Sequence, residues 1–162
     1  MRIRLATHDD FVRVGELTVA AYAPHTDGPT DFYIERLRDV ASRAREAEVW
    51  VAEIDGQVAG AVTRTPLGSP WREIARDDEA EFRMLAVDPD FQGRGVARSL
   101  VAHLISLARE NGDRAIVMSS EAGMAKAHSL YDSLGFRRTP DRDWHPLPTI
   151  DLITYELVVE DS

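Results

Sequence analysis

Apolar residues recur at helical spacing twice in the first third of the chain. Phe11, Val14, Leu17, Val19 and Ala21 predict a helix ending near Tyr22. Thr7-His8-Asp9-Asp10 in front of it resembles a capping box with Asp10 in place of the usual Glu. Pro24, Gly28 and Pro29 break the pattern. Phe32, Leu37, Val40, Ala41 and Ala44 then give an apolar side to one further helix, predicted over about 31–47. Residues 2–6 read as a short first strand. After residue 48 the period changes. Residues 49–54 and 58–63 are rich in Val and flank Asp55-Gly56, a pair suited to the positive backbone angles of a primed hairpin turn. A polar loop with Pro66, Gly68 and Pro70 leads to a predicted strand over 81–87, which ends at Asp88-Pro89.

Val96, Leu100, Val101, Leu104, Leu107 and Ala108 return to helical spacing, with Gly112 as the stop. Residues 115–118 read as a short buried strand. Strand, helix, strand in this order is a βαβ unit, so its two strands should run parallel. A helix is predicted over about 123–134, and Gly135-Phe136 leads out of it. Pro140, Pro146 and Pro148 predict an open loop, and residues 150–159 a last strand. The outline is an α/β (α+β) mixed sheet covered by helices on both faces, forming one domain over 1–162.

Composition narrows the chemistry. At 162 residues, with 44% hydrophobic and 29% charged positions, the chain is expected to bury a globular core. It has no cysteine, which rules out disulfides, a thiol nucleophile and thiolate metal sites. No apolar run is long enough for a bilayer, and residues 1–5 lack the apolar stretch of a signal peptide, so the expectation is a cytoplasmic protein with no membrane partner. A net charge of -9 repels a phosphate backbone, so no nucleic acid is expected either. His8, His25, His103, His128 and His145 form no close ligand pair, and no metal is expected. Ser119-Ser120 lacks the turn sequence of an esterase nucleophile.

The most informative stretch is Val87-Asp88-Pro89-Asp90-Phe91-Gln92-Gly93-Arg94-Gly95-Val96-Ala97. A strand stops, a turn with two glycines follows, and a helix begins. The first N–H groups of that helix lack internal partners, and its dipole favours an anion. Gly93 and Gly95 allow close backbone approach, Arg94 and Arg98 add charge, and a pyrophosphate suits the site. A P-loop would need Lys-Ser/Thr where Val96-Ala97 stands. A dinucleotide fingerprint lacks its third glycine, although Glu121 lies near the position of its acidic partner.

Gln92-x-x-Gly95-x-Ala97, preceded by Leu85-Ala86-Val87-Asp88-Pro89, resembles the signature of the GNAT N-acetyltransferase family. Leu130-Tyr131-Asp132-Ser133-Leu134-Gly135-Phe136 is similar to that family's second hallmark. The resemblance covers nearly the whole chain and implies a GNAT fold, with a mostly antiparallel sheet holding one parallel pair. It implies acetyl-CoA as acetyl donor and a primary amine as acceptor, joined by direct attack without a covalent enzyme intermediate. Gln92, Gly93, Arg94, Gly95, Val96 and Ala97 would hold the pyrophosphate, and the main chain of Leu85, Ala86 and Val87 the pantetheine arm. A bulge in that strand would aim an N–H at the thioester carbonyl, a donor of a kind worth about 10²–10³ in rate.

Tyr131 is the implied acid for the departing thiolate. Glu81 is the implied base, with a water relay or a base elsewhere as the alternative; it lies six residues before Val87, so simple alternation predicts that both share one strand face. Where many relatives carry Asn, seven residues before the tyrosine, this chain has Met124, with Ser119 or Ser120 on the preceding strand as the candidate substitute. Tyr22, Phe32, Tyr33, Trp71 and Trp144 are either acceptor-pocket aromatics or ordinary packing. The acidic run over 73–81, with Asp143 and Asp151, is either a draw for a cationic acceptor or a solvated face. The resemblance also implies a homodimer paired through sheet edges. The rival reading is an acyl-CoA-binding sensor on the same fold without turnover.

Overall fold

Asp55 and Gly56 take φ of 51° and 79°, as a primed turn requires, and join β2 (Glu48–Ile54) to β3 (Gln57–Arg64). Around this hairpin the sheet grows in both directions. β1 (Arg2–Leu5) pairs antiparallel with β2, and β4 (Glu79–Val87) antiparallel with β3. β5 (Ala115–Glu121) lies parallel to β4, the parallel pair expected of the βαβ unit. β8 (Ile150–Val158) runs antiparallel to β5 and carries β6 (Arg137–Arg138) and β7 (Trp144–Leu147). The sheet has eight strands, all other pairs being antiparallel. The computed structural model describes residues 1–25 and 32–160. Gly28, Pro29 and the expected helix start at position 31 lie outside the described residues.

β7 was not expected: its segment reads as a loop because of Pro146. The strand tolerates the proline because it pairs with β8 alone, leaving one side without a ladder to break.

The expected second helix is two helices, α2 (Phe32–Arg38) and α3 (Val40–Glu46). Two side chains stabilise the break. The Asp39 carboxylate accepts the Ser42 N–H at 3.2 Å and caps α3. Arg43, 1% exposed, donates to the carbonyls of Arg36 and Leu37 at 2.7 and 2.9 Å, the last turn of α2. Apolar periodicity runs through both helices, so it does not reveal the cut.

The expected capping box closes on a 3-10 turn, His8–Asp10, that runs straight into α1 (Phe11–Tyr22), with the Thr7 N–H bonded to the Asp10 carboxylate at 2.7 Å. α1 and α3 cover one sheet face, where Val14, Leu17 and Val40 meet Val51, Ala61 and Ala86. α4 (Val96–Glu110) covers the other, where Leu100 and Leu104 meet Ala52, Val62, Phe82 and Ile116. α5 (Ala125–Ser133) adds Tyr131 to that second core. Each of these fully buried Leu, Val and Phe side chains is worth about 1.5–3 kcal/mol. No helix among the described residues is long and apolar enough to cross a membrane.

The acidic run over 73–81 is neither an open draw for cations nor a solvated face at its two innermost positions. Glu79 and Glu81 are each 1% exposed. Burial alone would raise the Glu79 carboxyl, but Arg142, the Arg76 N–H and Arg114 bond to it and hold it below its ordinary value.

Candidate active site

β4 and β5 pair only from Glu79↔Ala115 to Glu81↔Val117, although both strands continue. Beyond that point they part, and the edge of β4 over 82–87 has no strand partner among the described residues. A groove of about 660 Å³ occupies the gap. Leu85, Ala86 and Val87 line it from β4, and Gln92, Gly93, Gly95, Val96 and Ala97 line it from the turn before α4. Arg94, expected with them, does not line the groove; its guanidinium stacks on Phe91 at 5.5 Å from the ring centre.

The turn is built to leave its amides free. Gly93 and Gly95 have φ of 77° and 76°, and a Cβ on either would meet nothing within 4 Å. The glycines are therefore required by backbone angle, and the space before them is open. The N–H groups of Gly93, Arg94 and Gly95 bond to no acceptor among the described residues. The first intrahelical bond of α4 is Ser99 N–H to Gly95 O at 3.0 Å, so the N–H groups of Val96, Ala97 and Arg98 are also unspent. Arg98 and Lys126, the chain's only lysine, line the mouth. A run of free amides at a helix N-terminus with two cations beside it suits a pyrophosphate.

Between Ala61 and Thr63 of β3, the register against β4 slips by one residue, and Met84 takes φ 56°. This is the expected bulge. It also overturns simple alternation. Ala80, Phe82, Leu85 and Val87 face α4, whereas Met84 and Ala86 face the other side. Glu81, between Ala80 and Phe82, therefore lies on the face opposite Val87. Its carboxylate accepts from Thr65 Oγ1 at 2.9 Å and from the N–H groups of Glu73, Ile74 and Ala75 at 2.8, 2.8 and 3.1 Å. Both oxygens fasten the loop between β3 and β4.

Tyr131 is 3% exposed, packed among Phe82, Phe136 and Tyr155 at ring separations of 6.1, 5.8 and 5.6 Å. The hallmark after it has a plain physical purpose. Gly135, at φ 94°, reverses the chain, and the Phe136 N–H returns to the Tyr131 carbonyl at 3.0 Å, locking the two rings together. Burial, reinforced by Tyr155, holds the Tyr131 phenol far above its ordinary value, so its proton stays on. The hydroxyl bonds to no other described residue. Tyr22 is also pushed up by burial, with Tyr131 its strongest electrostatic neighbour, and donates to the Leu85 carbonyl at 3.1 Å. Tyr22 thus reaches the bulged strand, while Tyr131 lies behind the groove lining, which includes its neighbour Leu130.

Near Tyr22 stands Arg83, which sequence reasoning did not single out, beside Glu73 of the acidic run. Glu73 lies 3.3 Å from Arg83 Nε, and burial holds its carboxyl above the ordinary range. Arg83 donates to the Trp71 carbonyl at 3.1 Å and to the Tyr33 hydroxyl at 3.5 Å. Trp71 is buried against Ile34, Leu37 and Met84, while Phe32 is 69% exposed. Trp144 is held by Ser119, its Nε1 donating to Oγ at 3.0 Å. Ser120 is buried and bonded to His128 at 3.1 Å. Met124 lines the groove and neither serine does, so their expected substitution for the missing Asn is not seen.

A family model described as the acetyltransferase (GNAT) family matches residues 12–136. The chain is similar to N-acetylaspartate synthetase of Danio rerio, 38% identical over 99 residues, which make up 61% of this chain and 33% of that protein. It thus spans about a third of the length of that curated relative. Among solved structures it is similar to a ribosomal-protein-alanine N-acetyltransferase from Brucella melitensis, at 26% identity and TM-score 0.70, covering 98% of this chain and 99% of that one. A putative acetyltransferase from Salmonella typhimurium, solved with its cofactor acetyl-CoA, is 27% identical at TM-score 0.70, covering 99% and 95%.

Proposed function

The chain belongs to the GNAT acetyltransferase family, and from that premise we propose that it moves an acetyl group from acetyl-CoA to a primary amine by direct attack. Acetyl-CoA supplies an activated thioester. The free amides over 93–97 and the N-terminus of α4 hold its pyrophosphate. The unpaired edge of β4 takes the pantetheine arm as an added strand would be taken. A main-chain N–H at the Met84 bulge stabilises the oxyanion.

Three proton transfers complete the balance as the N–C bond forms and the C–S bond breaks. The amine, mostly protonated at neutral pH, loses a proton to Glu73. Of the two nearby carboxylates Glu73 has the spare capacity, since both Glu81 oxygens are bonded to the loop. The departing thiolate gains a proton from the neutral Tyr131 hydroxyl, and the second proton shed by the amine nitrogen as the amide forms restores that hydroxyl.

The observation that carries this reading is one groove that combines a run of free amides with an unpaired strand edge. N-Acetyl transfer in the names of the relatives supports it. The test is CoA release from acetyl-CoA against a broad amine panel, followed with a thiol-reactive dye to which the cysteine-free chain contributes nothing. Release with one amine class supports the transferase. Tight acetyl-CoA binding with no release from any amine would favour a sensor instead.

A further inference from the structure

An acidic chain of net charge -9 gathers guanidinium groups where the loop between β3 and β4 meets α2. Arg36 of α2 and Arg83 of β4 both stand over the Trp71 indole, 4.7 and 5.7 Å from its centre. Arg43 is buried close enough for its charge to oppose that of Arg83, and its Nε has no hydrogen-bond partner among the described residues. Against these three cations, Glu73 is the carboxylate in a direct ion pair, through Arg83. Arg36 has no ion pair among the described residues. Glu81 is turned into loop amides, and Glu46 accepts the Trp71 Nε1–H at 3.4 Å.

Arg83 is already bonded through all three nitrogens, to Glu73, the Trp71 carbonyl and the Tyr33 hydroxyl, so it contributes fixed charge, while the exposed Arg36 offers its paired donors to a planar carboxylate. The position also suits an acceptor. Arg83 lies two residues from Leu85 along the bulged strand. Tyr22 spans the gap, bonded to the Leu85 carbonyl and electrostatically coupled to Arg83, Glu73 and Tyr131.

Building on the transferase reading above, we propose that the acceptor amine carries a carboxylate. Arg36 binds that carboxylate, with the fixed charge of Arg83 behind it, while the ammonium group faces Glu73. The acceptor is then an amino acid, not a polyamine, an aminoglycoside or a lysine side chain.

The test measures kcat and KM for matched acceptors at saturating acetyl-CoA. Aspartate, glutamate and phenylalanine are each compared with the α-amide and the decarboxylated amine. The amino acid should be preferred by about 10- to 100-fold in kcat/KM, the range expected for hydrogen bonds to a charged group. Arg36→Gln, at an exposed helix position, should raise KM for the amino acid by a similar factor and bring acid and amide together. Arg36→Lys should restore part of the preference. Amides or decarboxylated amines used as well as the acids, or an unchanged preference in Arg36→Gln, would overturn the carboxylate site and leave the transferase standing. CoA release from another amine but from none of these acids would overturn the carboxylate site alone; acetyl-CoA binding without release from these or from the broad amine panel would overturn both.

Discussion

Removing the Glu81 carboxylate should unfasten the loop that carries Trp71 and Glu73. In Glu81→Ala the Thr65 hydroxyl and the N–H groups of Glu73, Ile74 and Ala75 all lose their acceptor. A buried donor left unsatisfied costs about 1–3 kcal/mol, and water entering the vacated space recovers part, so the net loss should be about 3–5 kcal/mol. Glu81→Gln keeps the shape and one acceptor oxygen but points an NH₂ group at donors. Its expected cost is about 2–3 kcal/mol, or a fall in Tm of about 5–10 °C for a chain of this size. Denaturant unfolding reads the cost, and hydrogen exchange at residues 73–75 locates it. In Glu81→Gln, kcat should fall by the same factor at neutral and high pH, because the loss comes from loop position. A base would behave differently: its deficit would vanish once the amine is deprotonated in solution. A stable Glu81→Gln whose rate recovers at high pH would refute the clamp and restore Glu81 as the base.

Tyr131→Phe keeps the ring contacts and loses only a hydroxyl, so stability should change by less than about 1 kcal/mol while kcat drops by about 10²-fold; acetyl-CoA titration should show undiminished binding. Gly95→Ala adds a Cβ at φ 76° with open space before it, so the cost is backbone strain of about 1–2 kcal/mol. Calorimetry should report acetyl-CoA affinity down by about tenfold as the amides turn away. Burial raises the Glu73 carboxyl, so kcat/KM should fall on acidification with an apparent pKa above the ordinary glutamate value of about 4.3, and Glu73→Gln should flatten that limb. Arg4 holds Asp10 down to about 2. That contribution is complete above about pH 4 and lost as pH falls toward 2, so the stability gap between the wild type and Asp10→Asn should close across this window.

The readable parts of this protein were those whose cause is local. The Asp55-Gly56 turn, the capped start of α1, the stripe of α4 and the glycine reversal into Phe136 each depend on a few adjacent residues and appear where they were expected. So does the amide-bearing turn over 92–97, since free N–H groups follow from two glycines and a helix start. Arg94 is the exception, because the direction of a flexible side chain depends on its neighbours, here Phe91. The other surprises share one kind of cause. Asp39 divides a continuous apolar stripe only because Arg43 reaches back to cap α2. β7 exists because β8 offers it an edge. The bulge itself was implied by the resemblance, but its place at Met84, which sends Glu81 and Val87 to opposite faces, is not announced by the period of the strand. Arg36, Glu73 and Arg83 come together through α2, a loop and β4, which are distant in sequence. Backbone angle and turn chemistry are local energies, whereas strand register and the charges that share a site are set by whichever segments pack against them.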